Sequence, residues 1–130
     1  MKSVILILSV LVFLAPHWVD ARTHVKITNY LYGNLELRVH CRSKDNDLGN
    51  HLLRAEQSFE FSFSPNIWGT TLFYCSFKWD GSYKWFVIYD DGRDEYNCND
   101  ATCIWQITQD RPCQVNAPGN GLLCYPWDGE

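Results

Sequence analysis

Six cysteines constrain the fold of this 130-residue chain more than any other feature of its sequence. They follow an apolar N-terminal leader and lie at Cys41, Cys75, Cys98, Cys103, Cys113 and Cys124. An even number of cysteines behind an export signal is typical of a disulfide framework. Three bridges of about 2–4 kcal/mol each would rival the whole net stability of a domain of this size. We therefore predict a small domain in which all six thiols are structural.

The leader, residues 1–21, is predicted to be a secretory signal peptide. Lys2 precedes an apolar run over residues 4–15, which is too short to span a bilayer. Val19-Asp20-Ala21 supplies the small or short side chains that a signal peptidase requires. We predict cleavage after Ala21, which leaves one mature domain over residues 22–130. The alternative is that the leader stays uncleaved as an N-terminal anchor. After the leader, no apolar run reaches the length of about 18 residues that is needed to span a membrane.

The charge balance narrows the classes of partner. The formal net charge is −4, and removal of the leader takes away one basic and one acidic residue. Binding to nucleic acid needs clustered Lys and Arg that release counterions from phosphates, so we expect no nucleic-acid partner. For the same reason we expect no docking on anionic lipid. We expect no insertion of the mature chain into a membrane, because it has no apolar run that approaches about 18 residues. Cys98 and Cys103 lack the second cysteine pair of a zinc site, so we expect no metal and no cofactor.

Alternating apolar and polar residues predict an all-β fold. Residues 35–41 and 59–63 have an apolar side chain at every second position, which indicates half-buried strands. Residues 70–79 and 83–89 flank Asp80-Gly81, and this arrangement predicts a β-hairpin. Further short strands are predicted at residues 24–29, 103–107, 112–115 and 122–125. Seven to eight short strands separated by turns predict an antiparallel β-sandwich stabilised by disulfides.

Specific motifs run through almost the whole of the predicted mature chain. In order, they are Val25-x-Ile27-x-Asn29, Val39-His40-Cys41-x-Ser43-Lys44-Asp45-x-Asp47-Leu48-Gly49, Phe59-x-Phe61-x-Phe63, Gly69-Thr70-Thr71-Leu72-Phe73-Tyr74-Cys75-x-Phe77-x-Trp79, Phe86-x-Ile88-Tyr89, Arg93-Asp94, Cys98-x4-Cys103-x-Trp105, Pro112-Cys113 and Cys124-Tyr125-Pro126-Trp127. On these motifs the chain resembles the plant self-incompatibility S1 proteins, also called S-protein homologues. The resemblance implies a small secreted β-sandwich protein without known enzymatic activity. Its best-understood relatives are pistil proteins perceived at the pollen surface, where recognition of self triggers inhibition, whereas most relatives have open roles.

The loop over residues 90–100 is our candidate for a partner-binding surface. Its candidate contact residues are Asp90, Asp91, Arg93, Asp94 and Glu95. Binding residues concentrate on loops held by a rigid scaffold, and charges steer an oppositely charged partner. We expect charge reversal in this loop to abolish binding without lowering the melting temperature. The alternative is a solvated polar connection between two strands.

A second polar loop covers residues 42–47. It is a weaker candidate, because Asp45 and Asp47 could instead cap a turn through bonds to nearby backbone N–H groups. A calcium site of the EF-hand type is not expected, since the glycine and the distal glutamate stand at the wrong offsets.

No pattern of residues predicts an enzyme. His24, His40 and His51 could act as acid and base, but no lysine-rich phosphate groove accompanies them. The chain lacks a Gly-x-Ser-x-Gly elbow, and nothing in the sequence places two carboxylates in one cleft. The five tryptophans of the predicted mature chain could stack on sugars, although at strand spacing beside Phe and Cys we expect them in the core. A lectin-like or cell-wall carbohydrate-binding module therefore stays as the alternative function.

The disulfide pairing is open from sequence alone, because six cysteines allow fifteen connectivities. We predict Cys113–Cys124, since this bridge would close a hairpin about residues 116–121. For the remaining four cysteines we predict Cys41–Cys103 and Cys75–Cys98. The resulting hypothesis is a secreted, monomeric recognition ligand that a cell-surface receptor protein perceives.

Overall fold

The structure is a computed structural model that describes residues 22–95, 97–98, 102–116 and 121–130. The described strands are β1 (Thr23–Asn29), β2 (Leu37–Arg42), β3 (Asp47–Leu53), β4 (Ser58–Phe63), β5 (Leu72–Trp79), β6 (Ser82–Asp90), β7 (Thr102–Ile107), β8 (Pro112–Asn116) and β9 (Gly121–Cys124). One helical turn, α1 (Asp91–Asp94), follows β6. The predicted signal peptide lies outside the described residues. Within the described part, no helix is long and apolar enough to cross a membrane.

The strands form two sheets. One sheet has five strands in the order β4-β1-β7-β8-β9, and the other has four in the order β3-β2-β5-β6. The prediction of an all-β, disulfide-stabilised sandwich is confirmed. Its details differ in two ways: the described part holds nine strands, and β1 pairs with β7 in parallel, whereas the other neighbours are antiparallel.

The inward faces of both sheets meet in one aromatic core. Phe63 of the five-stranded sheet lies 4.6 Å from Phe73 of the four-stranded sheet, measured between ring centroids. Phe86 and Trp105 make an edge-to-face contact across the same interface at 5.2 Å. Trp127, which follows β9, is fully buried and packs on Phe77. Aromatic pairs of this kind add about 0.5–1.5 kcal/mol each beyond the area that they bury.

The C-terminal segment covers the free edge of β6. The backbone N–H of Asp128 donates to the carbonyl of Trp85, and the Asp128 carboxylate accepts from the N–H of Val87. Glu130 forms an ion pair with Lys84 on the same strand. A bare edge strand is a template for pairing with other chains, so these bonds satisfy groups that would otherwise be open.

Three disulfides join all six cysteines, but only one of the three predicted pairs is right. Cys113–Cys124 is present and links residues that stand opposite each other on β8 and β9. The predicted pairs Cys41–Cys103 and Cys75–Cys98 are wrong. Cys41 bonds Cys75 instead, because the two are opposite each other on β2 and β5. Cys98 bonds Cys103, which fastens the chain after α1 to the start of β7.

Candidate functional site

Three connections meet at one end of the sandwich. They are residues 42–47, which connect β2 to β3, residues 64–71 between β4 and β5, and residues 91–95 and 97–98, which contain α1. A cavity of about 450 Å³ lies between the second and third connections. Another of about 550 Å³ lies between the first and second. We call this region the loop end, and it contains Asp91, Arg93, Asp94 and Glu95, while the fifth predicted partner-binding residue, Asp90, ends β6 directly before it.

Asp91 of the loop end is an interior residue. Its side chain is only 6% exposed, and its two carboxylate oxygens have separate donors. One oxygen accepts from the Tyr89 hydroxyl at 2.7 Å, and the other accepts from the backbone N–H of Thr71 at 2.9 Å. Asp91 thereby ties α1 to the start of β5.

Asp94 is buried more deeply, at 1% exposure, and forms an ion pair with its neighbour Arg93. The two groups share a bidentate bond with N–O distances of 2.8 and 2.7 Å. The backbone N–H of Asp90 and the side-chain amide of Gln114 also donate to Asp94, at 2.9 and 3.2 Å. A buried carboxylate with four donors is fully compensated, which is the condition for keeping a charge inside a protein.

The Arg93 guanidinium is enclosed by aromatic rings. Its central carbon lies 4.9, 5.0 and 5.1 Å from the ring centroids of Phe86, Trp105 and Tyr125. Each contact has the geometry of a cation–π interaction. The charged pair of Arg93 and Asp94 is therefore part of the core.

The sequence-predicted contact residues thus divide into two groups. Asp91, Arg93 and Asp94 make buried bonds within the fold, so we now expect that reversing their charges lowers the melting temperature as well as any binding. Asp90 is half-buried and caps α1, accepting from the N–H of Gly92. Glu95 is exposed and remains free to contact a partner. Residues 96, 99 and 100 of the predicted loop lie outside the described residues.

The buried, acidic surroundings of Tyr89 make its phenol a weaker acid. Burial, the hydrogen bond to Asp91 and the charges of Asp91 and Asp94 raise the pKa of the Tyr89 phenol far above its usual value near 10. The phenol is thus kept neutral, and it acts as the donor in its bond to Asp91.

The loop of residues 42–47 contains a capped turn. The Asp47 carboxylate accepts from the N–H of Gly49 at 2.9 Å and from a ring nitrogen of His40. The bond from Gly49 and then the bond from His40 lower the Asp47 pKa below its usual value. This agrees with the turn-capping alternative for Asp47. Across the described residues, no three His, Cys, Asp or Glu side chains are grouped as they would be to hold a metal ion.

Two neighbouring apolar side chains of the loop end, which we call the apolar pair, are highly exposed. Ile67 is 89% exposed and Trp68 is 78% exposed, at the tip of residues 64–71. Asn66 organises this turn: its side-chain oxygen accepts from the N–H groups of Trp68 and Thr70, each at 3.1 Å. The N–H of Asn66 donates to the Thr71 hydroxyl at 2.8 Å. The apolar pair is thus presented by a turn with fixed hydrogen bonds.

Comparison with known proteins identifies the family of this chain. The family profile of the plant self-incompatibility protein S1 matches residues 24–127. The chain belongs to the plant self-incompatibility S1 family. It is 45% identical to S-protein homolog 5 of Arabidopsis thaliana over 114 residues, covering 88% of this chain and 83% of the relative. S-protein homolog 3 of the same plant is 44% identical over 108 residues, which cover 81% and 72% of the two chains.

A solved structure supports the fold of this S1-family protein. It belongs to a self-incompatibility protein homologue, one of a family described as widespread, small, highly stable, secreted proteins from plants. The TM-score is 0.56 with 17% sequence identity, and the match covers 82% of this chain and 94% of the solved one.

Sequence reasoning about this S1-family chain misses the apolar pair. The prediction that tryptophans lie in the core holds for Trp79, Trp105 and Trp127, whereas Trp68 and Trp85 are exposed. One signal could have found Trp68: it stands between Pro65-Asn66 and Gly69, in a segment of turn residues without strand alternation. A large apolar side chain in a turn has no inward face of a strand on which to pack.

Proposed function

We propose that this S1-family protein is a secreted, non-enzymatic recognition ligand that a cell-surface receptor protein perceives through the loop end. The family resemblance implies self-pollen rejection for some relatives and other roles for most relatives. The single observation that carries the proposal is the exposure of Ile67 and Trp68 on a hydrogen-bonded turn. Secretion is supported by the apolar leader and the three disulfides, and N-terminal sequencing of exported protein should begin at Arg22.

The geometry of the turn fits a binding anchor. Tryptophan is enriched among the few residues that carry most of the energy of a protein interface. Because the bonds of Asn66 already fix the backbone, binding would cost little ordering of the loop. The exposed carboxylates Asp45 and Glu95 lie on the two neighbouring connections. This arrangement matches a receptor pocket that is apolar at its centre and basic at its rim.

The test is binding of labelled protein to protoplasts from the source plant, from which the cell wall has been removed. We expect saturable binding that is lost when the protoplasts are treated with protease. Trp68→Ser should weaken this binding roughly 30-fold, equivalent to about 2 kcal/mol for the loss of a central anchor. Glu95→Lys should lower the association rate, with a dependence on salt.

Leu122→Ser is the matched control, since Leu122 is also a large exposed apolar residue but lies on β9. It should bind like the unmodified protein. If Trp68→Ser is folded and binds as tightly as the unmodified protein, the loop end is not the receptor-binding surface. Binding that survives protease would exclude a protein receptor.

A further inference from the structure

The outer face of the four-stranded sheet carries cationic and aromatic side chains that the core does not use. Its outward positions on β2, β5 and β6 include Arg38, Arg42, Tyr74, Lys78, Tyr83 and Trp85. The strand register places them in rows across the sheet. We call this set the outer-face surface. Trp85 is 43% exposed and Tyr83 is 58% exposed, so both offer ring area to a partner.

Two cations of the outer-face surface stand opposite each other. Arg38 on β2 pairs in register with Lys78 on β5. Within the described part of the chain, neither has a carboxylate at ion-pair distance. Like charges directly opposite on an antiparallel pair destabilise the sheet. The fold therefore gains nothing from placing these two charges opposite each other, and an anion bound between them would relieve their repulsion.

Two grooves cross this surface and meet at Tyr83. One of about 450 Å³ is lined by Arg42, Tyr74 and Trp85 among others, and one of about 420 Å³ by Arg38 and Lys78 among others. The ammonium of Lys78 lies 5.3 Å from the centroid of the Tyr83 ring. Cations and aromatic rings therefore alternate along one continuous path.

Acidic residues lie beside the cations of both grooves. Glu36 and Asp80 line the same groove as Arg38 and Lys78. Asp47 is engaged with His40, which lines the other groove. A ligand of this surface must therefore place its anionic groups close to the cations and away from these carboxylates.

We propose that the outer-face surface binds a linear polysaccharide of uronic acids, a site that goes beyond the receptor-binding role of the loop end. A uronic acid combines a ring, whose apolar face can stack on Tyr83 and Trp85, with one carboxylate for Arg38 and Lys78. Charge complementarity favours this ligand over a neutral glycan. The half-exposed rings favour it over an acidic peptide, which offers charge without a sugar face.

The experiment is calorimetric titration of the oxidised protein with oligomers of galacturonic acid. Methyl-esterified oligomers serve as the uncharged comparison, and poly-L-glutamate serves as the polyanion without sugar rings. We expect binding to the acid form, with affinity for both comparison ligands at least about tenfold lower. The double variant Arg38→Gln, Lys78→Gln should also lose about tenfold in affinity, in line with two exposed charge contacts. Tyr83→Ser should weaken binding through loss of the ring.

Arg111→Gln is the matched control, because Arg111 is an exposed cation between β7 and β8, away from this surface. It should bind like the unmodified protein. Absence of binding to the acid oligomers overturns the proposal, and so does full binding by the double variant. Equal affinity for poly-L-glutamate overturns it as well, by showing a general polyanion site. None of these outcomes bears on protoplast binding, since protoplasts lack the wall and the loop end is tested by different variants.

Discussion

At the scale of single residues, Arg93 is the side chain that links α1 of the loop end to the core. Its guanidinium neutralises the buried Asp94 and at the same time lies among three aromatic rings of the core. Lysine cannot replace it fully, because only the planar fork of arginine can make the bidentate bond while stacking on rings. Arg93 therefore couples the position of α1 to the packing of both sheets.

Arg93→Met should lower the free energy of unfolding by about 3 kcal/mol, because it leaves the Asp94 carboxylate buried without its counter-charge. The measurement is denaturant unfolding with the disulfides intact. Glu95→Gln is the adjacent control and should change stability by less than about 0.5 kcal/mol, since Glu95 is exposed. A loss below about 1 kcal/mol for Arg93→Met would show that the pair contributes little to the fold.

The raised pKa of Tyr89 predicts that the free energy of unfolding depends on pH in the alkaline range. Its pKa is raised in the folded protein, so the unfolded chain loses this proton first as the pH rises above about 10. The contribution of Tyr89 is therefore complete below pH 10 and is lost as pH rises toward the folded pKa. Unfolding free energy should fall less steeply above pH 10 in Tyr89→Phe than in the unmodified protein.

Ultraviolet titration of tyrosinate gives the second measurement. Tyr89→Phe should leave the absorbance change near pH 10 unaltered, because Tyr89 does not ionise there in the folded state. A smaller absorbance change near pH 10 in Tyr89→Phe than in the unmodified protein would contradict the raised pKa of Tyr89.

At the scale of elements, local pattern predicts strands but not their neighbours. Alternation and the Asp80-Gly81 turn locate the β5–β6 hairpin, and a short hairpin predicts the Cys113–Cys124 bridge. Strand β3 escapes prediction because its residues, DLGNHLL, do not alternate and only Leu53 is buried. The Cys41–Cys75 bridge depends on the register of β2 against β5, which are separated by β3 and β4 in the sequence.

The candidate site is less predictable than the fold. The residues of α1 look like an acidic loop, and their burial depends on partners from distant strands such as Gln114 and Trp105. A run of charges carries no sign of whether other strands will enclose it. For Ile67 and Trp68, exposure could have been predicted, because the sequence shows that they stand alone in a segment of turn residues. The hydrogen bonds that fix this turn could not have been predicted from the sequence.

The Arg38–Lys78 pair yields a prediction about the stability of the four-stranded sheet. Lys78→Glu converts two opposed cations into an opposite-charge pair, so the free energy of unfolding should rise by about 0.2–1 kcal/mol. Thermal unfolding at low salt measures the gain, which should shrink as salt screens the charges. The same variant should lose binding to uronic acid oligomers. A destabilised Lys78→Glu would show that loss of the contact with the Tyr83 ring outweighs the new opposite-charge pair.

At the scale of the whole molecule, the three disulfides enclose loops of very different length. The partners are 34, 11 and 5 residues apart for Cys41–Cys75, Cys113–Cys124 and Cys98–Cys103. In the chain-entropy description, replacing each pair by alanine should cost about 4, 3 and 2 kcal/mol respectively. Unfolding of the three double variants tests this order. A larger loss for the Cys98–Cys103 pair than for Cys41–Cys75 would show that anchoring α1 outweighs loop entropy.

The molecule as a whole is a rigid sandwich with two separate surfaces, an apolar anchor at the loop end and a cationic, aromatic sheet face. The most direct test of the central claim compares protoplast binding by Trp68→Ser and by Lys78→Glu in one assay. Recognition through the loop end predicts that Trp68→Ser loses roughly 30-fold in affinity, while Lys78→Glu binds like the unmodified protein. Full binding by a folded Trp68→Ser protein would contradict it.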